Sequence, residues 1–150
     1  MENNQALNSL LLTAKQAGCP KDQVENFLKA QYVPLVWQWD FHAIARECDK
    51  PDGPVEAACG GARGPGKSRA VFSQVGLDDC QRYAGLKCLF LRQTAVSAEE
   101  AFGDLIEKVL TNKIKHERKN NNVLFPNGSR ILLGGFHDEK DIDKYIGIEY

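Results

Sequence analysis

Along the first third of the chain, apolar residues recur at the three-and-four spacing of helices. Leu7, Leu10, Leu11 and Ala14 mark one face between Asn4 and Ala17, and Gly18 supplies a stop. Pro20 opens a second short helix, Lys21 to Ala30, with Val24, Phe27 and Leu28 on one side. After a break at Pro34, Val36 to Cys48 predicts a third helix, and Asp49-Lys-Pro-Asp-Gly-Pro54 is a loop by composition.

The pattern changes after Pro54. Val55 to Cys59 predicts a short, mostly apolar strand, Gly60 to Gly66 a glycine-rich loop, and Lys67 to about Tyr83 a helix that buries Val71, Phe72, Val75 and Leu77. Gly85 ends that strand–loop–helix unit. Lys87 to Arg92 predicts a second strand, whose nearly continuous hydrophobicity suits a parallel sheet covered on both faces. Ser97-Ala-Glu-Glu100 reads as a capping box that starts a helix running to about Leu110. Asn122 to Phe125 and Ser129 to Leu133 flank Pro126-Asn127-Gly128, whose Asn-Gly pair suits the positive φ angles of a tight hairpin. From Asp138 to Tyr150, charge alternates with Ile142, Tyr145, Ile146 and Ile148, and the chain contains no internal repeat.

Composition changes this picture little. With 150 residues, 43% hydrophobic and 26% charged, the chain has the means for an ordinary domain with a core. No apolar run reaches the roughly 20 residues of a membrane helix, and Met1-Glu2-Asn3-Asn4 lacks a secretory lead, so a cytoplasmic location is expected. Cys19, Cys48, Cys59, Cys80 and Cys88 show no zinc spacing and read as reduced thiols. A net charge of -1 creates no global attraction for a polyanion, so any nucleic-acid contact must be local. The most basic stretch, Lys113 to Lys119, reads as a solvated turn or edge strand, with a DNA-facing patch as the other reading.

The sharpest chemical signal is Gly61-Ala-Arg-Gly-Pro-Gly66-Lys67-Ser68, which fits GxxxxGK[ST] at every fixed position. Glycines let the backbone form a nest of inward amides, and the next helix adds the positive end of its dipole. Lys67 is placed to reach the β and γ phosphates, and Ser68 to complete the shell of a magnesium ion that keeps several waters. Arg63 either stabilises charge on the transferred phosphoryl group or faces solvent.

Upstream, Trp37-Gln38-Trp39 follows Tyr32-Val-Pro34, and a glutamine amide can match the Hoogsteen edge of adenine. The two tryptophans read first as core anchors and second as stacking platforms. Hydrolysis also needs carboxylates at a strand tip. Asp138 and Glu139 follow the apolar run Ile131-Leu-Leu, but Gly134-Gly-Phe-His137 intervenes and favours a polar loop or helix start.

Taken in order, these pieces resemble the ATPase domain of the large terminase subunit, the genome-packaging motor of tailed bacteriophages. The resemblance runs from about Pro34 to Tyr150. It rests on Pro34-Leu-Val-Trp-Gln38, Ala62-Arg63-Gly-Pro-Gly-Lys-Ser68, Phe90-Leu-Arg92-Gln-Thr, Asn127 to Gly135, and Lys144-Tyr-Ile-Gly147-Ile-Glu-Tyr150. It implies an α/β fold with an incomplete three-layer P-loop NTPase core of the additional-strand, RecA-like type, preceded by a short helical segment. Residues 1–50 would form that segment, with the glutamine motif, and residues 51–150 the first part of the ATPase domain.

The resemblance implies ATP and Mg2+ as cofactors. Gln38, Gly61, Ala62, Arg63, Gly64, Pro65, Gly66, Lys67, Ser68 and Arg69 would surround ATP, with Lys67 and Arg63 catalytic and Ser68 on the metal. Implied partners are double-stranded viral DNA, a portal protein, a small terminase subunit and further copies of the chain in a ring, all in the host cytoplasm. The Walker B aspartate, the catalytic glutamate and the nuclease domain would lie beyond Tyr150, so these 150 residues alone are expected to be inactive. Family topology also brings in the strands beside Val55 to Cys59 later in the chain, leaving that strand under-paired. On the residues alone, a helicase, a recombination ATPase, a nucleotide-binding regulator and a non-catalytic module with a relic loop stay open.

Overall fold

In a computed structural model, residues 2–62, 64, 66–92, 95–110, 114–117 and 121–145 are described. The helical periodicity of the first third folds as expected into α1 (Glu2–Ala17), α2 (Lys21–Lys29) and α3 (Val36–Glu47). Gly18 closes α1 at φ +89, with Gly18 N donating to Lys15 O and Cys19 N to Ala14 O, the paired bonds of a Schellman ending. α2 closes the same way without a glycine. Gln31 takes φ +56, Gln31 N donates to Leu28 O, and Tyr32 N donates to Phe27 O. That ending sets the Tyr32 ring edge-on to Phe27, with centroids 5.2 Å apart.

The chain divides into two compact units, Met1–Gln74 and Val75–Tyr150. In the first, α1 packs on α3 and α3 on α4 (Lys67–Ser73), around Ala14, Val24, Phe27, Trp39, Ala70 and Phe72. Trp39 is a core anchor at 2% exposure, the first of the two readings given for the tryptophans. Only part of the expected α1 face is covered, since Ala14 is buried while Leu7 and Leu11 are exposed.

The expected strand at Val55 to Cys59 does not form. These residues are irregular, Val55 is 96% exposed, and they pair with no strand among the described residues. Val-Glu-Ala-Ala-Cys holds a single strong β-former, and a strand without a neighbour leaves its amides and carbonyls to water.

The second unit is built on a four-stranded mixed sheet in the order β1-β4-β3-β2, formed by β1 (Lys87–Arg92), β2 (Lys115–Glu117), β3 (Asn122–Leu124) and β4 (Arg130–Gly135). β1 runs parallel to β4 from Lys87 opposite Arg130 to Arg92 opposite Gly135, and β3 and β2 follow antiparallel. The fold class is thus α/β. The sheet is not wholly parallel, β1 lies at its edge among the described residues, and Leu91 is 40% exposed, so the two-sided cover expected for it is not complete among those residues. Helix α6 (Ala95–Val109) packs on β4, with Phe102, Ile106 and Val109 buried. Because Ala95 is already helical, the capping box expected at Ser97 falls inside the helix.

The helix expected from Lys67 to Tyr83 is continuous but not uniform. α4 passes into a π-helical turn, Gln74–Asp79, and ends as α5 (Cys80–Arg82). Within that turn Gly76 approaches Leu110 so closely that an added Cβ would lie 2.9 Å from its Cδ2.

The expected hairpin is present but not as a two-residue turn. Gly128 N donates to Phe125 O and Phe125 N to Ser129 O, with only Gly128 at positive φ, +85. Pro126 sits at the second turn position, which suits a type I turn closed by a left-handed glycine. Asn127 keeps ordinary backbone angles and uses its side chain instead, Nδ2 donating to Cys80 O at 2.7 Å and Oδ1 accepting from Ser129 N at 3.1 Å.

Candidate phosphate site

Gly61, Gly64 and Gly66 all adopt left-handed backbone, at φ +123, +99 and +80, where side-chain-bearing residues are strained. Arg63 and Pro65, between them, lie outside the described residues. Gly66 is the N-cap of α4, and its carbonyl accepts the first helical bond from Ala70 N at 2.9 Å. Lys67, the first helical residue, turns back so that Nζ donates to Gly61 O at 2.9 Å and to Ala62 O at 2.5 Å. The lysine side chain thus ties the start of α4 back to the first residues of the glycine loop. Ser68 follows, half-buried, and exposed Arg69 places its guanidinium 5.5 Å from the Tyr32 ring centroid.

Behind the loop is a buried polar chain that the hydrophobic pattern did not reveal. Gln38, at 2% exposure, is the third residue of α3 and reaches back like the acceptor of a capping box, Oε1 taking Leu35 N at 2.7 Å. The same oxygen accepts the Tyr32 hydroxyl at 3.2 Å, and Nε2 donates to Gly66 O at 3.1 Å. His42, one turn further along α3 and fully buried, lies with Nε2 3.1 Å from the Tyr32 hydroxyl and Nδ1 2.8 Å from Gln74 Oε1. Gln23 closes the chain, Nε2 donating to His42 O and to Gln74 Oε1 at 3.0 Å each.

These contacts fix hydrogen positions. The His42 carbonyl can only accept, so the Gln23 atom facing it is nitrogen. That nitrogen makes the facing Gln74 atom an oxygen, and the oxygen makes His42 Nδ1 a donor. Burial pushes the Tyr32 hydroxyl up to about 12, so it keeps its proton at neutral pH and can donate it to Gln38 or His42.

Of the expected site residues, the structure therefore brings Gln38, Gly66, Lys67 and the ends of the loop together. It adds Tyr32, His42, Gln74 and Gln23. One signal for them was present in the sequence: Gln38 and His42 stand four apart on one helix and share a face.

Asp138 and Glu139 take the loop reading. Both are exposed at the start of a 3-10 turn, Glu139–Lys144, where Asp138 Oδ1 accepts Lys140 N at 3.0 Å. Lys115 lies on the edge strand β2 with Nζ 3.1 Å from Glu117. No cluster of His, Cys, Asp and Glu among the described residues could hold a metal unaided. No described helix is long and apolar enough to cross a membrane. Comparison with models of known families, with curated proteins and with solved structures gives no match.

Proposed function

We propose that the chain binds ATP with Mg2+ on the Gly61–Ser68 loop, as the nucleotide-binding part of a viral DNA-packaging ATPase of the large terminase kind. One observation carries the nucleotide reading: the glycines of the motif stand in left-handed backbone while the Lys67 ammonium folds over the same loop. Glycine backbone of this kind, with an ammonium beside it at a helix start, suits a polyphosphate. The residues fit magnesium only through the Ser68 hydroxyl. The ion would arrive with the nucleotide and keep most of its waters.

The packaging reading rests on the order of Gln38, the phosphate loop, Arg92 and the Asn127–Gly135 hairpin, together with the α/β architecture. It places the chain in a P-loop core of the additional-strand, RecA-like type. In that setting it works in the host cytoplasm on double-stranded DNA, beside a portal protein and a small terminase subunit, as one copy of a ring. Turnover needs the water-orienting carboxylate of the complete motor. In phage production carrying Lys67→Ala in the complete protein, procapsids should accumulate empty, counted by electron microscopy. DNA-filled capsids at the normal yield would reject packaging, and a defect in strand separation or recombination instead would assign the loop to a helicase or recombination ATPase.

A further inference from the structure

The orientation of the Gln38 amide is fixed by two backbone groups. Leu35 N–H can only donate and Gly66 C=O can only accept, so Oε1 faces the first and Nε2 the second. The buried Tyr32 hydroxyl lies 3.2 Å from the same oxygen, and Gln38 itself is 2% exposed. Reading the Hoogsteen edge of adenine takes an amide oxygen that can accept from N6 and a nitrogen that can donate to N7. In Gln38 that oxygen is already taken by Leu35 N–H and faced by the buried Tyr32 hydroxyl, and one Nε2 hydrogen is spent on Gly66 O.

Its contact at Gly66 has a different consequence. Gly66 O accepts both Ala70 N and Gln38 Nε2, at 2.9 and 3.1 Å. A trans peptide is planar, so holding this carbonyl holds the Lys67 N–H in the opposite direction. That N–H belongs to the set of amides a phosphate would meet in such a loop.

Resting on the nucleotide reading above, we propose that Gln38 is a positioning residue for the phosphate loop and does not read the base, and that Tyr32, His42, Gln74 and Gln23 hold it in that orientation. The ligand class of the site is then a magnesium polyphosphate, with any purine carried on it tolerated. Gly66 is part of the device, since a Cβ there would come within 3.0 Å of Gln38 Nε2.

The test is isothermal titration of the full chain with MgATP, MgGTP and magnesium tripolyphosphate, which has no base. Gln38→Ala should weaken all three by the same factor, roughly tenfold for one lost hydrogen bond and its orientation. Tyr32→Phe, which keeps the apolar packing against Phe27, should weaken all three equally by about threefold, at the low end for one hydrogen bond. In the wild type, saturating tripolyphosphate should move the Lys67 backbone amide resonance, and in Gln38→Ala that displacement should shrink. A merely structural role would lower the melting temperature and leave the displacement at saturation intact.

Loss confined to MgATP, with tripolyphosphate binding unchanged, overturns the proposal and returns Gln38 to base reading. Should Gln38→Ala fail to fold, Tyr32→Phe decides by the same three-ligand comparison. Absence of any polyphosphate binding by the wild type overturns the nucleotide reading and this proposal with it, whereas an ATP-only loss overturns this proposal alone.

Discussion

The phosphate loop and the β3–β4 turn both need glycine in left-handed backbone, and both are clamped by a side-chain amide, yet their surroundings differ. In the hairpin, Gly128 lies between two strands whose ladder fixes the chain on both sides, and Asn127 and Ser129 fasten the turn further. Ser129 Oγ donates to Tyr83 O at 2.6 Å and accepts Leu86 N at 3.2 Å. In the phosphate loop, the chain ahead is irregular and exposed, and only the helix behind is regular. There the backbone is oriented by Gln38, and Gln38 in turn by a buried chain of polar side chains. A turn held by backbone pairing tolerates loss of one side chain. A loop held by the Gln38 amide at one end and the Lys67 ammonium at the other has less redundancy, and its shape is tied to residues far away in sequence.

Between these two turns, the larger effect should follow Gly66→Ala. A side-chain-bearing residue in left-handed backbone costs about 1–2 kcal/mol, and here its Cβ also presses on Gln38 Nε2. Tripolyphosphate affinity, measured by calorimetry, should fall at least roughly tenfold. An unchanged affinity would show that Gln38 and Gly66 do not cooperate.

Asn127→Ala should act on the other side of the comparison. Losing the bonds to Cys80 O and Ser129 N should destabilise by about 1 kcal/mol in urea titration. Ligand affinity should not change, and a loss there would mean that the two turns are not independent.

A separate effect, confined to high pH, is the alkaline response of Tyr32. Its hydroxyl ionises near 10 in the unfolded chain and at about 12 in the fold. Below pH 10 both states hold the proton, and between about 10 and 12 only the unfolded chain releases it. Stability should therefore fall as pH rises through that window. In Tyr32→Phe this part of the fall should vanish from the urea midpoint. An identical slope would place Tyr32 outside the buried chain.

Local patterns in the sequence carried most of the regular structure. α2, α3, β1 and the hairpin follow from apolar spacing and from Pro126-Asn127-Gly128, because each is decided by residues close together in the chain. Val55 to Cys59 was misread because a strand is decided by its partners, and its own residues have little preference for one. The π-helical turn was equally invisible, since Gly76 meets Leu110 only in the folded chain. The phosphate motif was plain at Gly61, Gly64, Gly66 and Lys67. Its support was not, because Gln23, His42 and Gln74 are polar residues that a hydrophobic pattern assigns to solvent, and here they are buried.

Whether the loop binds polyphosphate is decided most directly by titrating MgATP into the wild-type chain and into Lys67→Ala. Lys67 contributes the ammonium of the loop, and removing a charge-assisted contact of that kind typically costs about 1.5–3 kcal/mol. Binding by the wild type should be saturable, and the affinity should be weaker by roughly ten- to a hundredfold in the variant. Equal affinity in the two proteins, or no binding by the wild type, would contradict a phosphate-binding role for the loop.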